Sequence, residues 1–333
     1  MVFSHHLSEF AGLPVVRYRS AAAFESASSV PPPELLAALA DPGSVAWRLD
    51  DVNEQESDSD ISPLGYYRRF AEAVDQDRVA AIVLGDVCNA FVSEGNSDLA
   101  ESLVEVAPRL SGLRSLFYGD VTFDECELSW IQHEDMSFLL SAFPQLTEFA
   151  VRGTGVLSLH VPRHDSLRRL TLQGGGLPGE LAREVASSGY PELEHLELWL
   201  GVPEYGGDTS PGDLAPVLGG EAFPRLRSLG LCNAQDVDGW ITVLAEAPLT
   251  RRLHTLDLSR GTLTDEGGRA LAEASPAFAH LDRLNLRHHF LSEEMGRRIR
   301  EALPGVEIDL SEPREPRAAP SGDGVRYYTA VSE

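Results

Sequence analysis

The stretch "LHTLDLSRGTLTDEGGRALAEA", residues 253–274, changes its hydrophobic period part-way along. Its first half alternates: Leu256 and Leu258 share one side of an extended strand, and Asp257 points the other way. Its second half has helical spacing. After a turn at Ser259–Gly261, Thr264 is placed to cap a helix in which Leu271 and the alanines face inward and Asp265, Glu266, Arg269 and Glu273 meet water. Asp265 and Glu266 also suit the positive end of that helix. One such unit cannot enclose its own leucines, so it must stack against others of its kind.

The same pattern recurs along the chain. "LDRLNLRHHFL" (281–291) superposes on 253–263, and looser copies stand at 79–87, 113–121, 146–154, 167–177, 193–202 and 226–234, with "VEIDL" ending the series. The first inner residues are Ile82, Leu116, Phe149, Leu170, Leu196, Leu229, Leu256, Leu284 and Ile308, at steps of 21 to 34 residues. The average step, about 28, lies in the leucine-rich-repeat range. "VAWRLDDV" (45–52) fits as an earlier unit, and its Asp-Val ending returns in "LGDV" and "YGDV".

"LTDEGGRALAEASPAFAHLDRLNL" (263–286) resembles the leucine-rich repeat of the ribonuclease-inhibitor subfamily, specifically over 226–310 and more weakly back to about residue 79. The resemblance implies an α/β fold: a right-handed solenoid, or horseshoe, with parallel strands on the concave face and helices on the convex face. It also implies ligand binding without catalysis. The layout "HHLSEFAGLPV", "VAWRLD" and "RYYTAVSE" also looks like a bacterial family of such proteins, from which no ligand follows. The sequence departs from the pattern at the turn position usually held by Asn or Cys, which here carries Val87, Val121, Thr154, Gly175, Gly201, Ala234, Gly261 and His289. The turn hydrogen bonds must then come from elsewhere, with Asn233 one candidate.

The domain reading places an N-terminal cap at 1–44 and an irregular array of about 9–10 units at 45–310. An acidic loop is inserted at 50–63, a Pro/Gly linker follows at 311–324, and 325–333 is a tail or a capping strand. In "PLGYYRRFAEAVD" the residues Tyr66, Tyr67, Phe70 and Val74 recur at helical spacing and should pack inward; a partner-binding stripe is the alternative.

Composition narrows the function. The net charge of −25 repels phosphate backbones and anionic membranes and favours a basic protein partner, although acidity also serves solubility. Cys88, Cys126 and Cys232 are widely spaced and read as buried thiols in a reducing compartment. With no basic-then-apolar leader and Val79–Leu84 as the longest apolar run, the expected location is the cytoplasm. No GxSxG, HExxH or catalytic-cysteine signature occurs. "LQGGGLPGE" (172–180) lacks the Lys and Ser/Thr of a phosphate loop. Pro162 separates His160 from His164, and His288–His289 read as exposed histidines at a strand end. No cofactor or metal is expected.

The candidate contacts are the residues alternating with the core leucines. The central column runs Val83, Phe117, Ala150, Thr171, Glu197, Gly230, Asp257, Asn285, Asp309. From it and its flanks the candidate partner-binding set is Phe117, Arg152, Gln173, His195, Glu197, Trp199, Asp257, Arg283, Asn285 and Arg287. Trp199 is the expected aromatic anchor; packing against Tyr205 or the next loop is its alternative. An enzyme or modification-system accessory using His195, Glu197 or His288 is the second reading, and a structural spacer the third.

Overall fold

The computed structural model describes residues 3–50, 62–87, 97–318 and 324–331. Cys88 and the body of the acidic insertion lie outside these residues. Strands alternate with helices, and the chain divides into two compact units, Phe3–Arg169 and Leu170–Glu333.

In the first unit, β1 (Glu9–Phe10) and β2 (Leu13–Arg17) form an antiparallel hairpin whose two-residue turn, Ala11–Gly12, has positive φ at both positions. That backbone matches the twist of paired strands. From β2 onward the pairing is parallel through β3 (Ala46–Leu49), β4 (Ala81–Leu84), β5 (Ser115–Tyr118) and β6 (Glu148–Arg152). One rung runs Val16, Trp47, Ile82, Leu116, Phe149, and the last four are fully buried. Segment 1–44, expected to lie outside the repeat, thus supplies a strand in repeat register. Helix Pro63–Ala73 starts at the Ser62 cap and buries Tyr66, Tyr67 and Phe70, with Phe70 5.2 Å from Tyr18 and 5.5 Å from Trp47 between ring centroids. The aromatic stripe is core.

The other side of these strands is also covered. Val83, Phe117 and Ala150 form an apolar row with Phe10, and Leu7, Leu13 and Val15 pack on it; Phe10 meets Phe117 edge-on at 5.8 Å. Beside this row lies a buried ion network. Arg48 donates Nε to Asp50 at 2.5 Å and Nη2 to the Asp120 carbonyl at 3.0 Å, and its Nη1 pairs with the Asp120 carboxylate. Arg152 reaches the other Asp120 oxygen at 3.1 Å and the Val121 carbonyl at 2.8 Å. Arg17 joins through Asp50 at 3.0 Å. Burial draws the Arg152 guanidinium down to about 10, while Asp120 opposes that shift. The N-terminal segment closes the network: Leu7 N–H donates to Asp120 and the Phe3 ring lies 4.0 Å from the Arg152 guanidinium carbon. Gly85 is required here, because a Cβ would stand 2.6 Å from Arg48 Nη2.

The second unit carries β7 (Arg169–Gln173), β8 (His195–Trp199), β9 (Ser228–Cys232), β10 (Thr255–Asp257), β11 (Arg283–Asn285) and β12 (Glu307–Asp309) in chain order. From β8 to β12 its ladder is parallel, with Leu196, Leu229, Leu256, Leu284 and Ile308 on one rung. Thr264 caps helix Asp265–Glu273 by accepting from Glu266 N–H at 3.2 Å. The inward face is narrower than the alanine pattern suggests: Gly267, Gly268 and Leu271 are buried, while Ala270 and Ala272 are half-buried. A Cβ on Gly268 would meet Met295 Cγ at 2.6 Å, so the glycine lets the next helix, Glu293–Ala302, come close. The starts of these two helices are also tied to the preceding ones. Asp238 accepts from Thr264 N–H at 2.9 Å, and Asp265 from Ser292 N–H at 2.8 Å.

Main chain replaces the missing side-chain ladder at the turns. Four residues after Leu229, Leu256, Leu284 and Ile308 stand Asn233, Arg260, His288 and Glu312, all with φ between 56° and 69°. The N–H groups of the first three donate to the Ser259, Arg287 and Ser311 carbonyls at 2.9, 2.8 and 3.0 Å. Left-handed backbone thus aims each N–H at the following unit, so the turns need no repeated asparagine.

The ion network yields a stability test. Asp120→Ala leaves two buried guanidiniums short of a partner and is expected to cost about 3–5 kcal/mol in urea unfolding, whereas Arg163→Ala, at an exposed pair, should change stability by less than about 0.5 kcal/mol.

Candidate functional site on the strand face of the second unit

The alternation of β8–β12 sends Glu197, Gly230, Asp257, Asn285 and Asp309 to one side as a continuous row. Three of them are fixed by their own turns. Asp257 accepts from Ser259 N–H at 2.9 Å, Asn285 from Arg287 N–H at 3.1 Å and Asp309 from Ser311 N–H at 2.9 Å. Asn285 also donates to the free oxygen of Asp257 at 2.7 Å. An aspartate or asparagine between the paired apolar residues therefore does two jobs: it closes the turn and presents its second polar atom outward. Its orientation is set by the fold itself. The Ser311 bonds, assisted by Arg287 and Arg283, hold the Asp309 carboxyl below the ordinary range.

The neighbouring row is His195, Ser228, Thr255, Arg283, Glu307. His195 Nδ1 lies 2.8 Å from Ser228 Oγ, and its Nε2 3.7 Å from Glu197. Burial raises the Glu197 pKa, but hydrogen bonds from His195 and Trp199 and the charge of Arg260 outweigh it and keep the carboxyl ionised at neutral pH. Arg283 and Arg287 are exposed, and Arg287 pairs with Glu312.

The ten candidate contacts divide. His195, Glu197, Asp257, Arg283, Asn285 and Arg287 lie together on β8–β11 and the turn that follows, all exposed or half-buried; Gln173 is half-buried on β7. Phe117 and Arg152 belong to the first unit, where residues 3–10 cover them to 4% and 3% exposure, so neither is a contact surface. Trp199 stands on the outward side, as alternation requires, yet it is 2% exposed. Its indole N–H donates to Glu197 at 2.7 Å and the Arg260 guanidinium carbon lies 5.0 Å from its ring, so it braces Glu197 instead of anchoring a partner. Cys232 is buried, and desolvation with the nearby Asp257 and Glu197 charges raises its thiol pKa well above the usual value.

His288 and His289, expected in water, are both buried. His289 donates to the Leu310 carbonyl at 3.0 Å and accepts from Leu291 N–H at 3.1 Å. His288 holds the C-terminal segment: Nε2 donates to the Tyr328 carbonyl at 3.3 Å while Nδ1 accepts from Arg314 Nε at 3.0 Å. That segment does not extend the sheet beyond β12. It pairs briefly through β13 (Arg317–Ala318) and β14 (Val325–Arg326) and then returns to Asn233, whose buried amide takes both sides of one residue, donating to the Val331 carbonyl at 2.6 Å and accepting from its N–H at 3.0 Å. Asn233 thus serves the tail as well as its turn. No group of three or more His, Cys, Asp or Glu residues placed to hold a metal occurs among the described residues, and no helix there is long and apolar enough to cross a membrane.

Neither a protein-family model nor a curated protein matches the sequence. Among solved structures, a Bacteroides fragilis protein from a structural genomics programme is 31% identical, with 79% of this chain and 70% of that one aligned at a TM-score of 0.69. An internalin of Listeria monocytogenes is 15% identical over 83% of this chain and 71% of its own, TM-score 0.31. A leucine-rich-repeat protein of Leptospira interrogans is 16% identical over 70% and 62%, TM-score 0.28.

The tail contact has a defined pH dependence. Burial lowers the His288 pKa, the Tyr328 bond opposes this, the Arg314 and Arg260 charges add to it and Glu312 opposes. The neutral ring is therefore the docked form, and its contribution is lost as pH falls below the free-histidine value of about 6.5. Amide exchange at Ala330 and Val331, corrected for intrinsic rate, should be slower at pH 7.5 than at pH 5.5. His288→Gln should abolish that difference, and Asn233→Ala should remove protection at Val331 at both pH values.

Proposed function

The chain belongs to the same family as the Bacteroides fragilis protein, and from the repeating strand register of its own sequence and fold we propose that it is a non-catalytic leucine-rich-repeat module. It binds a partner protein through the strand face of its second unit, which this reading takes as the concave side. The observation that carries the proposal is the row Asp257, Asn285, Asp309: three outward polar groups held by their own turns, bordered by exposed Arg283 and Arg287. A surface whose side chains are already fixed loses little conformational entropy on association. The net charge of −25 supports a basic partner through long-range attraction. Strand steps of 27, 28 and 24 residues after Leu229 support kinship with the ribonuclease-inhibitor type.

The catalytic reading has less behind it. His195 and Ser228 are directly opposite one another on adjacent strands, the usual position for a cross-strand hydrogen bond. His288 is engaged by Arg314 and the tail, and the buried Cys232 thiol is held protonated.

Asp257→Asn with Asp309→Asn keeps an acceptor for each turn while removing two charges, and Arg283→Glu reverses an exposed cation. Affinity capture from native lysate at 50 and 300 mM salt, followed by identification and titration of the bound protein, should give binding at least about tenfold weaker for the triple variant, or about 1.4 kcal/mol. Equal affinity of wild type and variant for every specifically retained protein would exclude this face.

A further inference from the structure

Of the four tryptophans, Trp47, Trp199 and Trp240 are 0%, 2% and 6% exposed, and Trp130 is 68% exposed. An indole left in water is unusual, since its large apolar area is worth most when covered. Its exposure is built into the local structure. Trp130 ends the short helix Leu128–Trp130, and its neighbours Leu128 and Ile131 are buried, which fixes the backbone beneath it. Its Nε1 donates to Glu127 at 3.0 Å, setting the ring direction. The following residues are strapped down by bridges from Gln132 to Gly155 and from Asp135 to Ser158, and by His133 donating to the Arg152 carbonyl at 2.8 Å. Val156, next to the first bridge, is also 68% exposed.

Charge decides what fits this indole. Residues 122–136 contain Asp124, Glu125, Glu127, Glu134 and Asp135 and no arginine or lysine. Burial keeps His133 neutral by lowering it to about 4. Glu125 is engaged by Thr122 and His6, and Asp135 caps Ser137 N–H, but Asp124 and Glu134 are exposed and Glu127 sits at the ring edge. A cation over the indole face gains from the ring quadrupole, from Glu127 at the ring edge and, at longer range, from the acidic balance of this stretch, and a guanidinium can stack flat while donating to a carboxylate.

We propose that Trp130 and the carboxylates around it form a second docking surface, in the first unit, for an arginine-bearing segment of a partner protein. The exposed, oriented indole is the anchor and the acidic border selects the occupant. This surface is separate from the strand face of the second unit and stands or falls without it.

The test uses the full chain and a synthetic Gly-Arg-Gly-Arg-Gly peptide, with Gly-Glu-Gly-Glu-Gly as the comparator. In a titration followed by the four indole N–H resonances, the Trp130 signal should move saturably with the arginine peptide only. Trp130→Ala should weaken binding, read by calorimetry at 50 mM salt, about tenfold, and Trp130→Phe should restore part of it. Glu127→Gln, which retains an acceptor for the indole, should weaken it severalfold. The strand-face triple variant should bind this peptide as wild type does, which separates the two surfaces. An unmoved Trp130 resonance, equal shifts with the glutamate peptide, or unaltered affinity of Trp130→Ala would overturn the proposal.

Discussion

Everything in either unit depends on keeping equivalent apolar residues side by side on neighbouring strands. A strand holding Leu256 and Leu258 has no core of its own; what covers Leu256 is Leu229 on one side and Leu284 on the other. A one-residue slip in pairing would exchange inward for outward side chains along the whole strand. Turn geometry is subordinate to this requirement, which is why the turns vary in length while the left-handed residue after β9, β10, β11 and β12 stays at one fixed offset from the rung.

That constraint explains what was legible in the sequence. Alternation located Ile82, Leu116 and Phe149 on the rung of the first unit and Leu196, Leu229, Leu256, Leu284 and Ile308 on that of the second, because a position facing the core of a parallel stack tolerates little besides large apolar side chains. The Thr264 cap and the inward Tyr66–Phe70 stripe follow from equally local rules. Harder to read were contacts made by segments distant in sequence. Phe117 and Arg152 occupy outward positions and belong to the interior only because residues 3–10 fold over them, and Asp120 lies 113 residues from the Leu7 amide that it accepts. No residue of strand β2 is fully buried, its rung residue Val16 included, so its periodicity is faint. The burial of His288 depends on a tail that returns from 40 positions away. The outward arginines Arg17, Arg48 and Arg152, together with the recurring Asp-Val ending, were the one local sign of the ion network.

The two units handle charge in opposite ways. On the strand face of the first, Arg48, Arg152, Asp50 and Asp120 are withdrawn from water and bonded to one another, so removing one strands another. On that of the second, Asp257 and Asp309 each use one oxygen for the turn and keep the other on the outer side, where Asn285 meets that of Asp257, so charge can be altered there with the fold retained. All 27 cationic side chains are arginine, and lysine is absent from the chain. A planar guanidinium can satisfy two oxygens at once, as Arg48 and Arg152 do, and stack on an aromatic ring, as Arg152 does on Phe3, whereas an ammonium group offers neither geometry.

The fixed left-handed residue also bears on how such a chain grows. Between Asn233 and Arg260 the backbone completes one circuit and resumes the same conformation, ready to hand its N–H to whatever follows. A duplicated segment of that length arrives with its own acceptor and its own donor, and the junction is blind to how many copies precede it. Lengthening by whole modules is then nearly seamless, while gaining or losing a single residue inside one breaks phase.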